Sequence, residues 1–182
     1  INDDLYNSII CHHSNFQEVM FGYSDSNKDG GFGMANYSLN QCLNQVGEIF
    51  RHHKINFRIF HGRGGSISRG GGKSNKAILS LPPVSHNGKI RFTEQGEVIN
   101  YRYGSYQIAK RHLEQITCAQ IISLSIPGKK SENKNIIKKI MKESHLHYKK
   151  NILSKKCWNF FLNATPINYI SKIPITSRPA SR

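Results

Sequence analysis

Two apolar runs, each followed at once by a polar, glycine-rich cluster, set the pattern of this chain. Val19-Met20-Phe21 leads into Tyr23-Ser24-Asp25-Ser26-Asn27-Lys28-Asp29-Gly30-Gly31, and Phe57-Arg58-Ile59-Phe60 leads into His61-Gly62-Arg63-Gly64-Gly65-Ser66-Ile67-Ser68-Arg69-Gly70-Gly71-Gly72. The runs predict strands over 18–24 and 55–61, the second with its alternation broken by Arg58. Between them Leu39, Leu43, Val46 and Phe50 recur at spacings of four, three and four, which predicts an amphipathic helix over 34–54. Strand, long crossover and strand make a parallel βαβ unit. In such folds the loops after the strand carboxyl ends build the site.

Further along, a short helix is expected from Ser74 up to Pro82-Pro83, and Asn87-Gly88 is a turn signal. Residues 89–93 and 97–103 read as extended segments flanking a bend at Gly96. Helices are expected over 107–125, after a cap at Ser131, and over 152–162. Pro166, Pro174 and Pro179 predict an irregular tail.

The 182 residues suffice for one domain with a core but are few for a closed eight-stranded βα barrel, which takes roughly 250. The chain starts at Ile1 without a basic or apolar leader, and is expected to be a soluble piece of something longer. No apolar run is long enough for a membrane span. Four scattered cysteines argue against a disulfide framework and fit a reducing cytoplasm. Cys11-His12-His13 and His145-Leu146-His147 lack the second spaced pair that a zinc site needs.

A net charge of +15 changes the picture further. Ten lysines and two acids lie between Lys129 and Lys156. Solvated helix faces account for this run better than nucleic-acid binding does. Gly70-Gly71-Gly72-Lys73-Ser74 is not a P-loop, because Ile67 stands where the motif requires glycine. The two Arg-Gly-Gly triplets are too few for an RNA-binding tract. An ordered anion loop remains, alongside a structural glycine loop. Glycine N–H groups approach a phosphate or carboxylate, arginines add paired hydrogen bonds, and His61 transfers a proton or donates to an oxyanion. Asp25 offers an oxygen for a hard cation, and Lys28 pairs with a substrate anion or with Asp25.

At these residues the chain resembles phosphoenolpyruvate carboxylase. Gln17 through Phe32 looks like the lysine active-site signature of that family, and Phe60 through Gly72 like its glycine-arginine loop. Ala77-Ile78-Leu79-Ser80, Arg91 through Ile99, Ala164-Thr165-Pro166 and Ser177-Arg178-Pro179-Ala180 continue the resemblance in order. It implies an α/β fold, a partial TIM-like βα barrel with extra helices. Within it, residues 1–16 form an irregular start, 17–103 a βα core with catalytic loops, 104–163 a lysine-rich helical part and 164–182 an active-site tail. The implied reaction joins bicarbonate to phosphoenolpyruvate with Mg²⁺ or Mn²⁺, giving oxaloacetate and phosphate and feeding the tricarboxylic acid cycle. The resemblance further implies catalytic roles for Lys28, His61, Arg63, Arg69 and Arg178. Arg63, Arg69, Arg178, Gly64 and Gly65 would bind substrate, and Asp25 would bind the metal. A full-length member would be a cytoplasmic homotetramer, and this chain alone would be inactive. Ser68 departs from a usual glycine, Leu81 from a glutamine and Leu162 from an arginine. A basic RNA-binding remnant and a decayed product are the competing expectations.

Overall fold

The computed structural model describes residues 1–62, 73–94, 96–125 and 133–170. The order is α1 (Asp4–His12), β1 (Phe16–Gly22), α2 (Ser24–Gly30), α3 (Phe32–His52), β2 (Asn56–Gly62), α4 (Ser74–Leu79), a 3₁₀ turn (Pro83–Ser85), β3 (Ile90–Phe92), α5 (Gly96–Tyr103), α6 (Tyr106–Ser125), α7 (Lys134–Asn151), α8 (Lys155–Ala164) and α9 (Ile167–Ile170). The described part is mixed α/β, mostly helical, around a three-stranded parallel sheet in the order β1-β2-β3.

The expected βαβ unit is present, with α3 as the crossover. Its register sets Phe16 against Asn56 and runs to Gly22 against Gly62. Phe57, Ile59 and His61 face the helices, where they are buried. Arg58 therefore does not break the alternation. It occupies the opposite face, where the Glu18 carboxylate accepts from Arg58 Nε at 2.6 Å and from Arg91 Nη1 at 2.7 Å. One carboxylate thus ties all three strands. Arg91 also covers the Phe60 ring at 4.5 Å.

Ile10, Phe21, Leu43, Phe50, Ile55, Phe57 and Ile59 form the core between sheet and helices, with Phe50 and Phe57 rings 5.3 Å apart. Gly47 lets α3 approach the 3₁₀ turn, because a Cβ there would lie 2.5 Å from Val84 Cγ2. The Asn87-Gly88 turn forms as expected. Asn87 Nδ2 donates to the Phe57 carbonyl at 2.7 Å, and Gly88 takes φ +76°.

Three expectations are corrected. The start is not irregular: Asp3 Oδ1 accepts from Tyr6 N at 2.8 Å and caps α1, whose Ile10 enters the core. The polar stretch after β1 is helical from Ser24 to Gly30. Residues 97–103 are helical rather than extended. Their β-branched and aromatic content is overridden by packing of α5 on α6, which buries Val98 and, one turn on, pairs Arg102 with Glu94. The cap expected at Ser131 lies outside the described residues. Serine does cap α8, where Ser154 Oγ accepts from Cys157 N at 3.2 Å.

Candidate active site

The parallel register brings β1 and β2 to the same carboxyl end, so the two polar clusters leave the sheet side by side. The Tyr23 amide extends the ladder one step, donating to the Gly62 carbonyl at 3.4 Å. The chain then turns into α2, and Ser26 Oγ donates back to the Gly22 carbonyl at 2.7 Å. Lys28 and Asp25 share one face of α2, with Nζ 3.5 Å from Oδ1. Their side chains are 73% and 63% exposed, so the contact adds little stability and leaves both heads accessible to a ligand.

His61 has the opposite character. It is 3% exposed at the last turn of the buried face, and its carbonyl accepts from Thr93 N at 3.1 Å. Its Nδ1 lies 2.7 Å from the Tyr23 hydroxyl. Asp25 and Lys28 are therefore brought together, and His61 is tied to the residue from which their helix begins. Arg63, Gly64, Gly65, Arg69 and Arg178 lie outside the described residues, as does Ser68.

The far end of α2 is held by α7, across more than a hundred residues of sequence. Tyr148 Oη donates to the Lys28 carbonyl at 2.7 Å, and His145 Nδ1 donates to the Gly30 carbonyl at 3.0 Å. Gly31, at φ +73°, passes so close that a Cβ would lie 2.9 Å from the Tyr148 ring. His145 is thus a structural donor. The lysines of α7 at 138, 139, 142, 149 and 150 are exposed to solvent, as expected of a solvated face.

The resemblance places one metal oxygen donor at Asp25. Among the described residues no group of three or more His, Cys, Asp or Glu side chains converges to hold a metal ion. The described residues therefore do not fit a complete metal site.

A second charged cluster, which sequence reasoning missed, joins β3, α5 and α6. Arg102 pairs with Glu94, both largely buried, and donates to Ser74 Oγ at 3.0 Å. Burial first, and then the Glu94 carboxylate, push the Tyr103 hydroxyl up to about 12. Burial and the Arg102 charge lower the pKa of His112. Its Nε2 stands 3.7 Å from Glu94, at ion-pair range but too long for a hydrogen bond, so the attraction does not offset burial. Only Glu94 within the signature-like Arg91–Ile99 stretch pointed toward this cluster.

Three parallel strands among mostly helical elements define a mixed α/β protein. A family model described as phosphoenolpyruvate carboxylase matches residues 1–182, and the chain belongs to that family. Among its relatives, the phosphoenolpyruvate carboxylase of Rhodothermus marinus is 44% identical over 189 residues, covering 100% of this chain and 20% of the relative. That of Roseiflexus castenholzii is 41% identical, covering 98% of this chain and 19% of the relative. A Synechococcus phosphoenolpyruvate carboxylase is 43% identical, covering 91% of this chain and 16% of the relative. The chain thus spans between about one sixth and one fifth of the length of these relatives. No described helix is long and apolar enough to cross a membrane.

Proposed function

We propose that this chain supplies catalytic loops to a phosphoenolpyruvate carboxylase, which forms oxaloacetate and phosphate from phosphoenolpyruvate and bicarbonate. The observation that carries the proposal is the shared carboxyl end of β1 and β2, which gathers the Asp25–Lys28 helix and His61 within a chain-long family match. In this reading the sheet is part of a TIM-like barrel. The divisions at residues 16, 103 and 163 separate its start, its catalytic core, its helical part and its tail.

The reaction follows the route implied by the family. A bicarbonate oxygen bonds to phosphorus as the phosphorus–enol oxygen bond breaks, leaving carboxyphosphate and the enolate. Carboxyphosphate divides into carbon dioxide and phosphate, and the enolate carbon bonds to carbon dioxide. Carboxyphosphate, the enolate and phosphate are all anionic, so stabilisation comes from cations placed in advance. Arg63, Arg69 and Arg178 hold phosphate and carboxylate oxygens, with Gly64 and Gly65 presenting backbone N–H groups. Lys28 adds positive charge from α2. His61 donates to an oxygen that gains charge. Asp25 would contribute one oxygen to a Mg²⁺ or Mn²⁺ ion, which would supply further positive charge beside the phosphate. The same reading makes the full-length protein a cytoplasmic homotetramer and this chain alone inactive.

Replacement of the matching fifth of the Rhodothermus marinus enzyme by this chain tests the proposal. Oxaloacetate formation by the folded graft is expected, with a loss of at least ~100-fold on Arg63→Ala, the scale for removing one charge-stabilising donor. A folded graft that forms no oxaloacetate overturns the proposal.

A further inference from the structure

We infer that Tyr23 is a positioning residue for His61, holding its imidazole in the tautomer with the proton on Nε2. The two atoms that matter, Tyr23 Oη and His61 Nδ1, lie 2.7 Å apart across 38 residues of sequence. One of them must donate. A phenol is the stronger donor, because its oxygen lone pair is drawn into the ring. The imine nitrogen of neutral imidazole is the stronger acceptor. Tyr23 therefore donates to Nδ1, and the ring proton resides on Nε2.

The surroundings make this orientation firm. The His61 ring is 3% exposed, its backbone is fixed between β1 and β3, and the Tyr23 and His61 rings meet at 5.9 Å, tilted by 45°. Tyr23 is fixed in turn. Its amide bonds to the Gly62 carbonyl, its ring packs against the core cluster, and the next residue begins α2. One hydroxyl thus couples the strand that carries His61 to the helix that carries Asp25 and Lys28. It also makes Nε2–H a fixed donor. The use of that donor toward an anionic oxygen rests on the carboxylase reading, whereas the tautomer does not.

The test is ¹⁵N-detected imidazole spectroscopy of the histidine-labelled chain, at a pH where the His61 ring is neutral. The expected spectrum shows a protonated Nε2 and an unprotonated Nδ1 shifted upfield by an accepted hydrogen bond. Tyr23→Phe keeps the ring packing and should return Nδ1 to the position of a free acceptor, with both tautomers populated. Tyr6→Phe removes a hydroxyl that donates to Gln17 Oε1, and should leave the His61 signals unchanged. A protonated Nδ1 in the parent chain overturns the inference, and so does a spectrum indifferent to Tyr23→Phe. The parent spectrum alone decides where the proton lies, so the inference stays refutable if the variant fails to fold. Nε2–H together with an inactive graft refutes only the carboxylase reading, and Nδ1–H in an active graft refutes only this inference.

Discussion

At the scale of single residues, exposure divides the site. Lys28 reaches into solvent and makes one long ion pair, so Lys28→Met should leave stability within about 0.5 kcal/mol in urea unfolding. If the grafted enzyme then loses turnover, the loss belongs to chemistry rather than folding. Glu94 behaves differently. Glu94→Gln leaves Arg102 without its charge partner in a largely buried site, and about 3 kcal/mol of stability should disappear in the same experiment. His112 adds a dependence on pH. Its folded pKa is lowered, so the unfolded chain binds a proton where the folded chain does not. Stability should therefore fall as pH drops below about 6.5, the unfolded histidine value. Comparing urea midpoints at about pH 7.5 and pH 5.5 checks this, and His112→Gln should flatten the slope. Residues of this kind were only partly legible in the sequence. Asp25, Lys28 and His61 stood out because their residue types and neighbours state a chemistry. The partners of His61 and Glu94 did not, because those contacts join positions far apart in the chain or depend on how α5 packs.

Legibility was greater at the scale of elements. The spacing of Leu39, Leu43, Val46 and Phe50 specified α3, since that apolar stripe must be buried. Val19-Met20-Phe21 and Phe57–Phe60 specified parallel strands, since a helical crossover separates them. Arg58 misled because a charge within a strand reads as an interruption until its partner is known. Glu18 is that partner, and it also reaches Arg91 on β3. Residues 97–103 misled for a related reason: extended propensity is weak where a neighbouring helix offers burial. Elements also meet at glycines. Gly31→Ala must place a Cβ at positive φ and against the Tyr148 ring. It should cost about 2 kcal/mol in thermal or urea unfolding, combining backbone strain with overpacking. Tyr148→Ala in the same chain should recover the packing part of that cost and leave the strain.

For the whole molecule, charge and apolar surface oppose each other. The chain carries +15, while Ile108, Leu113, Ile121 and Leu124 on α6 and Trp158 and Phe160 on α8 are exposed. Mutual repulsion keeps copies apart when salt is low. Screening shortens its reach to about 8 Å near physiological ionic strength and further above that. Light scattering should therefore show self-association rising with added salt, the reverse of an assembly held by ion pairs. Conversion of Ile121 and Trp158 to glutamine should shift the onset to higher salt.

The clasp of α7 on α2 also has a consequence in time. Lys28 and Tyr148, whose hydrogen bond closes the end of the signature helix, are 120 residues apart. At roughly 5–20 residues per second, a ribosome takes on the order of ten seconds to pass from one to the other. During that interval the Asp25–Lys28 turn has no Tyr148 or His145 to donate to its last carbonyls. The hydrogen bonds that close this early turn can therefore form only after most of the chain has been made.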